Sequence, residues 1–260
     1  MELKTSDFNT VRNVLHEFSG IWLPEGKEAL VRARLMKRLR ALKLGSFDEY
    51  FDLIGQDDSE FLNFVDVLTT NKTDFFREDR HFDFLREEVI PKISRQVKWW
   101  SAGCSSGEEP VSCAIHLLSA SEAIAARVRI LATDLSGDVV RIAKAGIYPP
   151  DRVAGVPEPV LDRWFSRMED GSYRVSASVR GMITYARQNL ISTWPMKGPF
   201  HVIMCRNVMI YFDPQTRQRL ISRFHKILEP GGYLFLGHSE SIGSHNPGFV
   251  NSRPAVYRKL

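Results

Sequence analysis

The sequence predicts an α/β fold, in which a helical bundle precedes a doubly wound, mostly parallel sheet. One observation is an apolar run at residues 97–100 that breaks into small residues and resumes at Glu108 with helical spacing. This order of strand, small-residue turn and helix is the first unit of such sheets. Further short apolar runs recur towards the C-terminus, whereas residues 1–70 show helical periodicity alone. Residues 150–181 break both patterns and predict a small inserted antiparallel β-subdomain.

Length and composition limit the number of domains and the class of protein. A chain of 260 residues can hold one large domain with a smaller companion, and its net charge of +4 does not by itself indicate nucleic acid. No apolar run approaches the roughly 20 residues of a membrane span, and the N-terminus lacks a secretory signal. The three cysteines show neither C-x-x-C spacing nor a metal-ligand cluster. We therefore expect a cytoplasmic protein with buried thiols, no metal, no nucleic-acid partner and no membrane insertion.

Four short helices are predicted in residues 1–70. The first ends at Gly20 and the second at Gly45, and Ser46 with Glu49 forms a capping box for the third. A fourth apolar stripe follows at 61–68.

The second of these helices is strongly basic, which has two interpretations. It is either a solvated helix face or a docking face for an acidic partner, because its bases greatly outnumber its acids. Under the second interpretation the contact residues include Arg32, Arg34, Arg38 and Arg40.

The small-residue turn at 101–107 suits a ligand without phosphate. It contains neither G-x-G-x-x-G nor G-x-x-x-x-G-K-[ST], the two common phosphate-binding motifs. Glu108 and Glu109 begin the helix where a phosphate needs positive charge, so a ligand carrying an ammonium group fits better. S-adenosylmethionine (SAM) is such a ligand, although acidic residues also favour the first turn of any helix.

One other segment and one other residue are candidates for ligand binding, and each has an alternative structural role. The segment N-K-T-D-F-F-R at 71–77 brings hydrogen-bond donors beside two phenylalanines; a helix cap by Thr73 explains that residue but not Asn71 or Arg77. Asp134 ends the second predicted strand, where an acid holds a ribose diol or caps the next helix.

The remaining elements complete the sheet. We predict strands at 182–187, 200–205, 233–236 and 255–257, and a helix opened by Asp213-Pro214 and ended by Gly231-Gly232.

Several sequence motifs occur in a recognisable order: N-K-T-D-F-F-R, S-A-G-C-S-S-G-E-E-P, A-T-D, Q-N-L, C-R-N-V-M-I-Y-F and G-H-S-E. Together with the helical N-terminal region they resemble the bacterial chemotaxis receptor methyltransferases of the CheR family, from about residue 8 to the C-terminus. The resemblance implies the SAM-dependent methyltransferase type of doubly wound fold. Its domains would be 1–70 (helical), 71–95 (a connecting segment that contributes to the SAM site) and 96–260 (SAM-binding, with the insertion at about 150–181).

The resemblance also implies an activity, namely O-methylation of glutamates on the cytoplasmic helices of chemoreceptors to γ-methyl esters and S-adenosylhomocysteine. It places Arg77 and Tyr211 near the transferring methyl group. The residues that it implies in cofactor binding are Asn71, Thr73, Arg77, Gly103, Glu109, Asp134, Asn189, Leu190, Arg206 and Asn207.

The chemistry agrees with this expectation. A glutamate is ionised at pH 7, so it needs no general base, and the sulfonium is already a good leaving group. Such a site has to align the reacting atoms and exclude water. His238-Ser239-Glu240 more often forms a loop turn than an acid–base pair.

Two departures from the family pattern matter. Relatives often carry a longer glycine-rich loop that grips a pentapeptide tether at the receptor C-terminus, whereas this chain has the short stretch Met168–Tyr173. We therefore expect docking without the tether. Gly103-Cys104 stands where relatives often have alanines, and both residues are small enough to keep the pocket.

Three rival functions are weighed against this one. A nucleic-acid methyltransferase would carry [N/D/S]-P-P-[Y/F] or a Pro-Cys nucleophile, and neither is in place here. A SAM-binding regulatory protein would not need Arg77 and Tyr211, and a nicotinamide oxidoreductase would need the glycine fingerprint.

Overall fold

The first part of the chain is a bundle of four helices, as predicted. We describe a computed structural model of the protein at residues 2–243 and 248–260. The bundle comprises α1 (Thr5–Ser19), α2 (Glu28–Leu42), α3 (Phe47–Gln56) and α4 (Asp58–Leu68). The predicted apolar stripes meet in one core that includes Phe8, Leu15, Leu35, Tyr50 and Phe64.

One predicted helix end in the bundle differs from the structure, and so does one detail of a predicted cap. Helix α1 ends at Gly20 in the left-handed conformation, as predicted. Helix α2 ends at Leu42 rather than at Gly45, because Lys43 turns to φ 59° and its N–H bonds back to Arg40 and Leu39. Ser46 caps α3, but Glu49 accepts from the Gly45 N–H at 2.9 Å.

The rest of the chain is organised around one mixed sheet. After α5 (Arg80–Phe84), a π turn (Leu85–Val89) and a 3-10 turn (Ile90–Lys92) come β1 (Val97–Ala102), α6 (Glu108–Ala120), α7 (Glu122–Ala125), β2 (Val128–Asp134) and α8 (Gly137–Ala145). The later elements of the sheet layer are β6 (Ile183–Arg187), β7 (Phe200–Cys205), α12 (Pro214–Ile227), β8 (Leu228–Leu236), β9 (Phe249–Arg253) and β10 (Val256–Lys259).

The strand order is β6-β2-β1-β7-β8-β10-β9. The pairs among β6, β2, β1, β7 and β8 are parallel, and β10 runs antiparallel to both β8 and β9. The carboxyl ends of β1, β2, β6 and β7 therefore lie on the same edge of the sheet, where ligands bind in such folds. This arrangement is the predicted doubly wound, mostly parallel sheet of the SAM-dependent methyltransferase type.

A small antiparallel sheet is inserted before β6, as predicted. It contains β3 (Ile147–Tyr148), β4 (Phe165–Arg167) and β5 (Tyr173–Val175), in the order β3-β5-β4. Short helices α9 (Pro150–Val153), α10 (Glu158–Trp164) and α11 (Ala177–Arg180) surround it.

The role predicted for Gly231-Gly232 is wrong. Helix α12 ends at Ile227, because Leu228 is already extended, and the glycine pair lies inside β8. A Cβ on Gly232 would lie 2.9 Å from the His201 carbonyl oxygen, so the glycine permits close approach of the two backbones at the irregular part of the β7–β8 register.

Polar contacts hold the bundle against the sheet domain. The Arg187 guanidinium lies 3.1 Å from Asp66, and the Asp138 N–H donates to the same carboxylate. On the other side of the cavity described below, the Trp22 N–H donates to the Tyr211 carbonyl at 2.8 Å. Within the described residues, every helix is too short or too polar to traverse a lipid bilayer.

Candidate active site

A cavity of about 550 Å³ opens between the bundle and the carboxyl ends of the strands. This volume falls within the range of small-molecule and cofactor sites. All the residues that the sequence resemblance placed in the site line this cavity: Asn71, Thr73, Arg77, Gly103, Glu109, Asp134, Asn189, Leu190, Arg206, Asn207 and Tyr211. The structure thus brings them together, and their individual roles stay predictions.

The turn after β1 comes close to the wall of the cavity through Gly103. Its φ is +88°, and a Cβ there would lie 2.4 Å from Cγ2 of Val208. The N–H groups of Gly103 and Cys104 both donate to the Thr133 carbonyl, which ties the turn to β2. Position 103 therefore needs glycine for its backbone conformation as well as for space.

Asp134 closes the same turn from the tip of β2. Its carboxylate accepts from the N–H of Ser105 at 2.8 Å and from the N–H of Ser136 at 3.0 Å. The interpretation of Asp134 as a helix cap is wrong, because the Ser136 hydroxyl caps α8. Burial raises the pKa of Asp134, against the effect of these backbone donors. A carboxylate accepts about four hydrogen bonds, so Asp134 keeps acceptor capacity for a ligand hydroxyl beyond its backbone donors.

Glu108 and Glu109 point in different directions. Glu108 is fully buried, bonds to the Ser106 hydroxyl and is paired with Arg152. Glu109 lines the cavity, accepts from the Ser101 hydroxyl at 2.7 Å and lies 3.1 Å from Arg206. Burial raises the pKa of Glu109, although Arg206 opposes that rise. Only Glu109 is placed to face a cationic ligand.

Arg206 joins three segments at the base of the cavity. Its side chain is 3% exposed and lies 3.1 Å from the carboxylates of both Glu78 and Glu109; it also donates to the Arg77 carbonyl. Burial opposes ionisation of Glu78, but Arg206 and two further donors, the His238 N–H and the Asn207 amide, hold the pKa of Glu78 below its usual value. Glu78 was not predicted as a residue of the site. Its left-handed backbone conformation, with a φ of 59°, leaves no mark in the apolar periodicity of the sequence.

Asn207 is held in the left-handed region, with a φ of 57°. Its N–H donates to Glu240 at 2.7 Å, and its side-chain amide donates to Glu78 at 3.2 Å. Glu240 also accepts from the N–H groups of Gly237 and Ile210. This carboxylate therefore fixes the loop after β8 to the β7 tip, which favours the structural interpretation of His238-Ser239-Glu240.

The segment 71–77 forms one wall. Ser105 donates through its hydroxyl to the Asn71 carbonyl at 2.8 Å, and Arg77 donates to the Lys72 carbonyl at 3.1 Å. The cap role considered for Thr73 is wrong, because the next helix, α5, begins at Arg80 and is capped by Asp79. Thr73 is 9% exposed and lines the cavity.

Asn189 and Tyr211 lie where the bundle meets the sheet. Asn189 donates from its amide to the Phe18 carbonyl at 2.5 Å and accepts from the Ile191 N–H. The side chain of Leu190 is buried beside them. The carbonyl of Tyr211 is held by Trp22, so its ring has a fixed backbone support.

The bundle contributes a wall that the sequence analysis did not place in the site. Residues 21–24 follow α1 and line the cavity, as do Lys27, Leu30 and Arg34. Lys27 directly precedes α2, and Leu30 and Arg34 lie four residues apart on one face of that helix. The sequence feature that could have indicated this wall is Trp22, a large aromatic residue in the short connection between α1 and α2.

The charges of the lining are divided between its two sides. Glu109 and Asp134 stand at the sheet side, where Arg206 is neutralised by Glu78 and Glu109. The charged residues of the bundle side and its connecting segment are the bases Lys27, Arg34, Lys72 and Arg77 and one acid, Asp74, which leaves this side with an excess of positive charge. One side therefore suits a cation and the other suits a carboxylate.

A group of metal-ligand type lies behind Arg206. Among the described residues, Glu78, His81 and His238 place one ligand atom each within 4.8 Å of one another. Burial, then Arg206, lowers the pKa of His81 to about 3. The Glu78 oxygens already accept from Arg206, from the Asn207 amide and from the His238 N–H, and we assign no metal role to this group.

Comparison with known proteins agrees with the geometry. The family model described as "CheR methyltransferase, SAM binding domain" matches residues 71–257, and "CheR methyltransferase, all-alpha domain" matches residues 6–69. Chemotaxis protein methyltransferase 2 of Pseudomonas aeruginosa is 41% identical over 91% of this chain and 86% of its own length. Chemotaxis protein methyltransferases of Escherichia coli (35%; 99% and 92%) and Borreliella burgdorferi (34%; 100% and 96%) are also similar. The cofactor is S-adenosylmethionine, and the chain belongs to the CheR methyltransferase family.

Proposed function

We propose that the protein transfers methyl groups from SAM to glutamate side chains on the cytoplasmic helices of bacterial chemoreceptors, giving γ-methyl esters and S-adenosylhomocysteine. The observation that carries this proposal is the division of charge in the cavity, with Glu109 and Asp134 opposite four bases and the single acid Asp74. The acidic side is complementary to the ammonium and sulfonium of the cofactor. The basic side is complementary to a carboxylate substrate. The names of the relatives support the chemotaxis pathway.

The reaction needs alignment more than acid–base catalysis. When bound, SAM supplies the methyl group: the carboxylate oxygen bonds to the methyl carbon, and the carbon–sulfur bond breaks with its electron pair on sulfur. Asp134 holds the ribose hydroxyls, and Glu109 faces the cationic end. Asn71, Thr73, Asn189, Leu190 and Asn207 shape the remaining walls. The protein thereby orients the two reactants and excludes water.

Arg77 and Tyr211 serve the substrate in this proposal. Arg77 is anchored through the Lys72 carbonyl at 3.1 Å and keeps further donors for the substrate carboxylate. Tyr211 lines the cavity on a 3-10 turn (Met209–Tyr211) whose end is tied to Trp22. Its hydroxyl orients the carboxylate or the sulfonium. Removal of either group should reduce turnover at saturating SAM.

The receptor docks on the basic helix α2 in this proposal, around Arg32, Arg34, Arg38 and Arg40. Arg34 donates to the carbonyls of Leu68 and Thr69, and Arg38 is paired with Glu60. These two arginines support the bundle. Arg32 and Arg40 are exposed on the same helix, and the four arginines together are complementary to an acidic receptor surface.

Docking does not require a receptor C-terminal pentapeptide in this proposal. The loop between β4 and β5 is short and closed, because the Met168 N–H donates to the Ser172 carbonyl at 2.8 Å and Asp170 accepts from Ser172. A pulldown with the isolated receptor tail peptide should recover no protein. Retention on that peptide alone would contradict tether independence.

The experiment that tests the activity uses tritiated SAM with receptor-containing membranes and, in parallel, tRNA. We expect label on receptor protein that is released as a volatile product by mild base, since carboxyl methyl esters are base-labile. Label on tRNA, or base-stable label on protein, would favour a nucleic-acid or a nitrogen methyltransferase. Binding of SAM without any transfer would favour a regulatory SAM-binding protein.

A further inference from the structure

Three strongly exposed apolar side chains share the cavity. Trp22 and Ile210 are each 45% exposed and Leu30 is 43% exposed, and all three line it; we call them the apolar rim. The other large apolar side chains that are equally exposed in the described part of the chain, such as Ile142 at 46%, lie outside the lining. A single exposed apolar residue needs no explanation, whereas a group at a ligand site marks a binding surface.

The apolar rim is fixed relative to Tyr211. The Trp22 N–H donates to the Tyr211 carbonyl at 2.8 Å, and Ile21 forms a β-bridge with Phe212. Ile210 directly precedes Tyr211 on the same 3-10 turn. An apolar group bound at the rim therefore lies at a fixed position relative to Tyr211, the residue that we place near the transferring methyl group.

The tryptophan of the rim is held in place before any partner binds. The Trp22 ring packs edge-on against His16, with centroids 5.3 Å apart, and the Arg12 guanidinium lies 5.3 Å from its centre. A large aromatic side chain that is already ordered loses little entropy on binding, which is typical of binding hot spots.

Basic residues line the same cavity as the apolar rim and outnumber the one acid on that side, Asp74. Lys27 directly precedes α2, Arg34 shares a face of α2 with Leu30, and Arg77 lines the cavity from the connecting segment. An apolar centre with a cationic border is complementary to a helix that presents an acid and an apolar side chain on one face. On a helix, residues three or four positions apart share a face.

We propose that the apolar rim binds an apolar side chain of the receptor helix within about two turns of the methylated glutamate, and so selects which glutamates are methylated. This inference rests on the proposed function. The rim supplies selectivity, while the neighbouring bases attract the acidic helix and Tyr211 marks the point of transfer.

The test compares Trp22→Ala and Ile210→Ala with the matched control Ile142→Ala. Initial rates are measured with SAM and a receptor cytoplasmic fragment, and calorimetry measures the Kd for S-adenosylhomocysteine. We expect KM for the fragment to rise about tenfold in each rim variant. Ile142→Ala should leave KM unchanged. Trp22→Phe, which keeps a ring, should restore most of the affinity and shows that the site still folds.

A double-mutant cycle makes the test specific to the proposed contact. Apolar residues within two turns of the modified glutamate are replaced by serine in the receptor fragment. Wild-type enzyme should lose about tenfold in kcat/KM, whereas Trp22→Ala should lose much less, because the contact is already absent. Additive losses, an unchanged KM, or an equal rise in the Kd for S-adenosylhomocysteine would overturn the inference. An absence of transfer by wild-type enzyme would instead overturn the proposed function.

Discussion

Arg206 lies 3.1 Å from the carboxylates of both Glu78 and Glu109, three residues that come from different parts of the chain. Glu78 belongs to the connecting segment, Glu109 to the start of α6 and Arg206 to the turn after β7. The pairing closes the base of the cavity and keeps one cation and two anions out of water together. Its energetic value depends on all three groups being present.

Arg206→Ala should destabilise the protein by about 3–5 kcal/mol, because it leaves two largely buried carboxylates without a counter-charge. Urea denaturation measures the change. Arg141→Ala is the matched control: its pair with Asp138 is mostly exposed, and its loss should cost less than about 1 kcal/mol. Adding Glu109→Gln to Arg206→Ala should recover part of the loss, and a further loss of stability would contradict the pairing.

Gly103→Ala should disturb the cofactor cavity more than an ordinary left-handed glycine substitution does. The added Cβ would meet Val208 at 2.4 Å at a φ of +88°. Gly171→Ala is the control for backbone strain, because its φ is +83° and no described atom lies within 4 Å of the added Cβ.

We expect Gly171→Ala to cost about 1–2 kcal/mol and Gly103→Ala to cost more. The Gly103 variant should also weaken S-adenosylhomocysteine binding. Adding Val208→Ala should relieve the steric part alone. Equal costs at positions 103 and 171 would mean that the contact with Val208 is unimportant.

Asp134→Asn should weaken S-adenosylhomocysteine binding by about ten- to a hundredfold, since hydrogen bonds to a charged acceptor contribute about 1.5–3 kcal/mol. Calorimetric titration measures the change. Asp138→Asn is the control, because its carboxylate is exposed near the same helix start. Equal affinities in the wild type and the Asp134 variant would remove this residue from the cofactor site.

Cofactor affinity should fall as the solution becomes acidic, beginning above the ordinary carboxyl range near pH 4. Burial raises the pKa values of Asp134 and Glu109, so these groups bind protons earlier than exposed carboxyls do. Binding of a cationic ligand requires the ionised forms. Titrations with SAM at a series of pH values from 7 downwards measure the Kd. The logarithm of Kd should change less with pH in Asp134→Asn than in the wild type.

The ligand-free protein should respond to the same two carboxyls with the opposite sign. A carboxyl whose folded pKa is raised binds its proton more tightly in the folded state. Its contribution to stability is therefore present at low pH and is lost as pH rises through the folded pKa. Added S-adenosylhomocysteine should consequently raise Tm more at neutral pH than at acidic pH, and the reverse order would contradict the assignment.

Arg77→Ala and Tyr211→Phe should lower kcat at saturating SAM by at least about tenfold, because both groups are assigned to orienting the substrate carboxylate. Rates with the receptor fragment and the Kd for S-adenosylhomocysteine are measured together. Arg80→Ala, at the start of the following helix, is the control. Unchanged turnover in either variant would remove that residue from the reaction centre.

The sequence allowed much of the architecture to be predicted because apolar periodicity marks buried faces directly. Helices α1 to α4 and strands β1, β2, β6 and β7 follow their patterns closely. Gly231-Gly232 misled the prediction of the α12 end, because a glycine that permits close backbone approach resembles one that ends a helix. Strand β9 was not predicted, since it is a largely exposed edge without alternation.

The residues that line the cavity were predicted from sequence motifs. The residues that hold these in place, and the bundle residues of the lining, were not predicted. Positive φ values at Phe76, Glu78, Ser105 and Asn207 hold the walls of the cavity in conformations that no local pattern encodes. Trp22 and Leu30 reach the cavity only because the bundle docks on the sheet. Such contacts depend on tertiary structure and are not visible in the neighbouring residues.

The central claim is methyl transfer to a glutamate carboxylate, and peptide mapping of the product tests it most directly. A receptor cytoplasmic fragment is incubated with the protein and SAM, digested, and analysed by tandem mass spectrometry before and after mild base. We predict methyl groups on glutamate side chains that are lost in base and absent when Arg77→Ala replaces the wild type. Methylation on nitrogen that resists base, or a fragment that remains unmodified while SAM binds, would contradict the account.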